Sequence, residues 1–252
     1  MARMTGKVAV VLAAILVTAG LSLVWADVAT PRPQWTKVRM EAETVNIVLG
    51  EKKVAVDATF NMYNEGPTGP VKVGYPLGVF ETELRDFAAT VDGQAVQNVR
   101  TEPGTPASEG PRMRRDDGKG ETYRFEGPYK QWKVFDIDMQ ANAPRIIKVN
   151  YWVEPAQIKT AEKADLLHYV YTLRTGATWK GKIGRAVINV TLDGVVPSRL
   201  VRVAPVGAVA SQEGKVLTWT YQNFKPADNI EVTFRPTETV RTASLSAAPP
   251  TR

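Results

Sequence analysis

Leu166 to Leu192 reads LLHYVYTLRTGATWKGKIGRAVINVTL. Two runs rich in β-branched and aromatic residues flank a polar loop with Gly176 and Gly181, a pattern that predicts a β-hairpin with a long connection. Similar punctuation recurs outward from it. Lys53 to Asn64, KVAVDATFNMYN, alternates strictly. Val54, Val56, Ala58, Phe60 and Met62 share one side and Ala55, Asp57, Thr59 and Asn61 the other, which predicts a half-buried strand. The glycines and prolines from Glu65 to Pro70 end it, since Pro cannot donate to a ladder. Phe87 to Val91, Asp92-Gly93 and Gln94 to Val99 predict a hairpin closed by an Asp-Gly turn.

Trp132 to Met139 and Ile146 to Val153 also alternate, with Ala143-Pro144-Arg145 expected to turn the chain between them. Val201 and Val203, Val216 to Tyr221, and Ile230 to Phe234 add short strands. Glu154 to Asp165 has helical composition over a short length, which predicts a one- or two-turn connection. Thr101 to Glu121 is dense in Pro, Gly and charge and predicts a mobile loop. Its Arg112, Arg114 and Arg115 are read as neutralised by Asp116 and Asp117. About a dozen short strands with regular turns and scarcely any helical period imply an all-β protein, an antiparallel β-sandwich. The expected domain is 37–236; two stacked sandwich-like halves divided near 154–165 are the alternative.

Residues 1–26 read as an export signal. Arg3 and Lys7 precede an uncharged apolar run from Val8 to Val24, and Ala26 offers a small residue at the cut. An uncleaved anchor is the alternative, and membrane association is expected only in that case. Residues 27–36, with Pro31 and Pro33, read as an extended leader, and 237–252 as a disordered tail with too little apolar content to fold. The expected location is therefore extracytoplasmic: periplasmic, secreted or at the cell surface. The chain carries +6; loss of Arg3 and Lys7 with the signal leaves +4. That is an ordinary solubility charge. Without a concentrated basic face, no nucleic-acid partner is expected.

Chemistry is sparse. One histidine, His168, and no cysteine exclude the usual zinc and copper ligand sets, so no metal and no cofactor are expected. His168 shares a strand face with Leu166 and Val170 and is read as a core or edge histidine. Asp116-Asp117-Gly118 lacks the spacing of a known calcium loop. No serine sits in a nucleophile turn. Glu81 with Glu83, and Asp136 with Asp138, lie two apart on one strand face; they would serve a glycan hydrolase only if that face lined a cleft. No catalytic residue is assigned, and the chain is read as non-enzymatic. Among many large aromatics, most of them expected in the core, Trp179 sits in the hairpin loop beside Arg174, Lys180 and Lys182. An exposed Trp among cations suits a sugar ring or anionic glycan; a Trp folded back to cap the sandwich is the other reading.

The motif order is similar to a family of bacterial exported β-rich domains of unknown function. The matching text is Tyr63-Asn-Glu-Gly66, Val73-Gly-Tyr-Pro-Leu77, Trp132-Lys-Val-Phe135, Pro144 to Tyr151, Tyr171 to Trp179 and Trp219 to Pro226. It departs at Pro144, where a Pro-Gly pair is expected. The first half also resembles the N-terminal domain of inter-α-trypsin-inhibitor heavy chains, through Tyr75-Pro-Leu77 and Val91-Asp-Gly93. The resemblance implies export and a β-sandwich, and carries no catalytic residue. The expected function is that of an exported bacterial envelope protein, a structural or ligand-binding module whose partner is an envelope glycan or an envelope protein. A glycan-active hydrolase and a subunit of an envelope assembly are the alternatives.

Overall fold

The computed structural model describes residues 37–76, 83–103, 112–116, 122–126, 131–159 and 165–237. The expected signal, the leader and all of the tail after Thr237 lie outside these residues. Seventeen strands, β1 to β17 in chain order, form among the described residues. Eight build one sheet, in the order β15 (Val209–Ala210), β16 (Val216–Phe224), β13 (Ile183–Leu192), β1 (Val38–Leu49), β2 (Val54–Asn64), β10 (Ala143–Val153), β4 (Arg85–Val91) and β5 (Gln94–Ala95). A four-stranded sheet runs β11 (Ala156–Lys159), β12 (Asp165–Tyr171), β17 (Ile230–Phe234), β14 (Leu200–Ala204). A three-stranded sheet runs β3 (Gly69–Pro76), β9 (Gln131–Met139), β6 (Arg100–Pro103), and β7 (Arg112–Asp116) pairs with β8 (Thr122–Glu126).

The smaller sheets of four and three strands pack on one face of the large one. Their Tyr169, Tyr171, Val232 and Phe234, and Val73, Phe135 and Met139, join Ile47, Phe60, Ile147 and Ile188 in one buried cluster. Two polar contacts tie the layers. Tyr171 Oη donates to Glu43 Oε1 at 3.1 Å, and Tyr75 Oη to Tyr151 Oη at 3.0 Å. The result is an all-β, sandwich-like fold, as the alternation predicts.

The central hairpin does not form. β12 lies in the four-stranded sheet, pairing with β11 and β17, while β13 lies in the large sheet. Between them Leu173–Thr178 is a 3-10 helix whose Thr175 Oγ1 donates to Thr172 O at 2.7 Å. That turn carries the chain from one layer to the other. Local periodicity reads a strand's existence but not its partner: β12 pairs with β11 and β17, and β13 with β1 and β16. β13 runs parallel to β1 over Ala42↔Arg185 to Leu49↔Leu192, so the large sheet contains one parallel pair. Strands from both sides of 154–165 share that sheet and the core.

Other local readings shift as well. Ala156–Lys159 within the expected helical connection is strand β11, and part of the expected loop 101–121 is strand, in β6 and β7. The turn before β10 falls at Ala141-Asn142, with Asn142 at φ 53, and Ala143 already begins the strand. The Asp92-Gly93 turn forms as read, with φ of 49 and 81. Two positive φ values mark the hairpin turn that Asp-Gly favours.

One irregularity sets which side of β1 faces the core. Its register against β2 slips between Met40 and Ala42. Glu41 is the extra residue of a β-bulge, and a bulge reverses the alternation beyond it. Val38 and Met40 point inward before it; Glu43, Val45, Ile47 and Leu49 do so after it. The bulge brings the Glu41 carbonyl against Gly184 of β13, where a Cβ would lie 2.4 Å from the oxygen. Only glycine fits that approach.

Candidate functional site

The loop singled out from sequence is built into the fold. Trp179 is 3% exposed and belongs to the core cluster, which corrects the reading of it as an exposed platform. Its Nε1 has no hydrogen-bond partner among the described residues. A large aromatic gains most by burial, and here the 3-10 turn folds it inward. Arg174 is half-buried, and its backbone N–H donates to Asn229 Oδ1 at 3.2 Å. Lys180 donates through its backbone N–H to Val38 O at 2.9 Å, and its amine pairs with Glu65. Arg39 adds a second cation, 2.8 Å from Glu65 Oε1. The Lys180 hydrogen bond, with both cations beside it, holds the Glu65 carboxyl below its ordinary range. Lys182 stays exposed. The four residues therefore do not converge on one exposed surface.

His168 is buried, its Nδ1 2.8 Å from Thr233 Oγ1. Burial, helped by the charge of Arg202, lowers its pKa to about 4. Of the carboxylate pairs, Glu81 lies outside the described residues and Glu83 is exposed. Asp136 and Asp138 face solvent from β9, and Arg100 engages Asp136 at 2.9 Å. Among the described residues no group of three or more His, Cys, Asp or Glu side chains is placed to hold a metal ion.

The surface that stands out is the other face of the eight-stranded sheet. Register places its outward side chains in rows across the strands, about 4.8 Å from strand to strand. One row is Thr218, Asn189, Asn46, Asp57 and Asn150, from β16 to β10. The next is Thr220, Val187, Thr44, Thr59 and Lys148. These residues are exposed or half-buried. Part of the first row is linked side to side, with Thr218 Oγ1 donating to Asn189 Oδ1 at 2.9 Å and Asn189 Nδ2 to Asn46 Oδ1 at 3.0 Å. Cross-strand bonds of this kind fix rotamers and leave the outward lone pairs and N–H groups for solvent or a ligand.

At the β10 end of a third row stands Trp152, half-exposed. Its Nε1 donates to Asp86 Oδ2 at 2.7 Å. Two cations lie over its ring, Lys53 Nζ at 5.1 Å and the Arg85 guanidinium at 4.9 Å from the centroid. Asp86 holds φ 53, a left-handed conformation uncommon outside glycine. The strand pattern of KVAVDATFNMYN already put Asp57, Thr59 and Asn61 on a polar side. What it did not carry was the order of strands that assembles one face from five such sides.

No protein family and no curated protein sequence matches the chain, so the two sequence resemblances rest on their motifs alone. Among solved structures it is similar to a proposed nutrient binding protein of Legionella pneumophila: TM-score 0.57, 16% identity, 79% of this chain and 67% of the other covered. An M1 zinc metallopeptidase of Deinococcus radiodurans aligns with TM-score 0.38 and 11% identity over 79% of this chain. This chain spans 42% of that enzyme, and so slight a likeness bears on neither fold nor activity. The first likeness is one of fold alone, in keeping with an all-β, sandwich-like molecule.

Proposed function

We propose that the protein is an exported, non-catalytic module of the bacterial envelope that binds its ligand on the open face of the eight-stranded sheet. The observation that carries this reading is that face itself, where amides and hydroxyls, with Asp57, Val187 and Lys148 among them, stand in register across five strands while the opposite face packs into the core. The nutrient-binding assignment of the Legionella protein is in keeping with it. No helix among the described residues is long and apolar enough to cross a membrane. Of the two carboxylate pairs on which the hydrolase alternative rests, Asp136 and Asp138 project from a solvent-facing strand surface, with Asp136 paired to Arg100; Glu81 of the other pair lies outside the described residues.

The test is capture of envelope components by immobilised protein spanning residues 27–252. Asn46→Trp places bulk in the middle of the first row and should abolish capture without altering the fold by circular dichroism. Lys182→Ala in the loop should leave capture intact. Loss in the loop variant, with the face variant unaffected, would move the site back to the loop.

One observation favours a second reading, a subunit that joins an envelope assembly along a strand edge. Val201 of edge strand β14, Val206 in the loop after it and Val209 of edge strand β15 are 47%, 94% and 71% exposed. Unpaired edges accept a partner's strand. Concentration-dependent association of the free protein, abolished by Val209→Lys, would establish it; a monomer at all concentrations that captures no envelope protein would remove it.

A further inference from the structure

The charges on the open face narrow the ligand. Lys53, Lys148 and Arg185 are exposed and have no carboxylate partner among the described residues, whereas Arg39, Lys72, Arg100, Arg145 and Arg199 are all paired elsewhere. Arg85 has Glu154 at 3.1 Å, yet both side chains remain about half exposed. Within the two polar rows the one acid is Asp57. Cations without a carboxylate partner among the described residues thus lie at Lys53 beside Trp152, at Lys148 and at Arg185 on β13; Arg85 shares its charge with Glu154, Asp86 accepts from Trp152, and the groups between are neutral hydrogen-bonding ones apart from Asp57.

Resting on the reading of this face as the binding surface, we infer that its ligand is a carboxylated glycan chain laid across the strands. Its hydroxyls meet the side chains of Asn46, Asn150, Asn189, Thr44 and Thr59, which offer both donors and acceptors. Its carboxylates meet Lys53 and Arg85, held in place by the Trp152 ring, and Lys148. Indole contact orients both cations before a ligand arrives, which lowers the ordering cost of binding. The spacing between strands is comparable to the rise per ring of an extended glycan, so successive sugars meet equivalent positions. A protein partner would need a contiguous apolar centre, whereas apolar groups of this face such as Val187, Val48 and Trp152 stand apart among polar ones. A nucleic acid would need a denser array of cations.

The experiment is calorimetric titration of the protein spanning 27–252 with oligogalacturonate, a carboxylated glycan, and with cellohexaose, a neutral one. Three proteins are compared: the natural sequence, Lys53→Gln/Arg85→Gln, and Asn46→Trp. The expected result is saturable oligogalacturonate binding that weakens with salt, falls about tenfold in the double variant and vanishes in Asn46→Trp, with cellohexaose weaker throughout. Oligogalacturonate binding unchanged by Lys53→Gln/Arg85→Gln would overturn the carboxylate assignment. Equal binding of the neutral chain, lost in Asn46→Trp, would overturn it too, yet keep the face as the site. No saturable binding of either chain would overturn the glycan inference; the face would then stand or fall by envelope capture, which is read independently.

Discussion

Gly184→Ala probes the contact that sets the inward and outward sides of β1. A methyl group at this position would sit 2.4 Å from the Glu41 carbonyl oxygen and 3.4 Å from its carbon. An ordinary carbon–oxygen contact is about 3.4 Å, so β1 and β13 must separate by roughly 1 Å. The obstacle is backbone on a strand paired on both sides, and it cannot rotate away as a side chain can. Overpacking of this kind costs about 1–3 kcal/mol. If the shift also breaks a ladder hydrogen bond at Ala42↔Arg185 or Glu43↔Ala186, about 1–3 kcal/mol more is lost. The expected destabilisation is therefore about 2–6 kcal/mol, a large part of a typical stability of about 5–15 kcal/mol. Urea unfolding should show a lower midpoint with an unchanged slope. Gly69→Ala is the control: nothing lies within 4 Å of its added Cβ, and its stability should stay within about 0.5 kcal/mol of the natural protein. A Gly184→Ala protein equally close to the natural stability would show that the bulge and Gly184 do not meet.

Trp179→Ala should cost about 3–5 kcal/mol in the same assay, as befits a core residue. Trp179→Phe should cost much less, since it keeps most of the apolar area and deletes an N–H with no partner among the described residues. Asn64 is buried, accepting from Gly66 N at 2.9 Å and donating to Pro67 O at 2.9 Å and Gln140 O at 3.1 Å. Asn64→Asp sets a carboxylate against two carbonyl oxygens and should destabilise more than Asn64→Ala, by thermal melt at neutral pH. His168 titrates near 4 when folded against 6.5 in its ordinary state. The unfolded chain thus binds the extra proton between these values, and stability falls by about 3 kcal/mol as pH drops from 6.5 to 4. His168→Gln should flatten that window. It should leave the further loss at lower pH from Glu51, Glu65, Asp92 and Glu102, whose pKa values the fold lowers.

Much of the fold was legible because alternation reports burial directly. Val54, Val56, Ala58, Phe60 and Met62, and Leu167, Tyr169 and Tyr171, point into the core as their spacing says. Pairing was not legible. Leu166 to Leu192 looks like a hairpin because strand–loop–strand text is the same whether the strands meet or part, and the parallel match of β1 with β13 spans more than a hundred residues. Trp179 left two readings open for a related reason, and the ring folded back is the one that forms: loop-like text, with Gly176, Gly181 and three cations nearby, describes a surface, and the 3-10 turn that buries the ring leaves no periodic signal. Gly176 itself packs tightly, a Cβ there meeting Ile183 Cδ1 at 2.8 Å. The open face was half visible, since each strand shows its Thr and Asn on the polar side. Only register brings Asn46 beside Asn189 and Asp57.

The most direct test of the central claim is an amide chemical-shift map of isotopically labelled protein spanning 27–252, titrated with a solubilised envelope glycan fraction. Saturable shifts at Thr44, Asn46, Thr59, Asn150 and Asn189, with the Arg174 to Lys182 loop unmoved, are the predicted result. Shifts confined to that loop, or to the edges at β14 and β15, would contradict it.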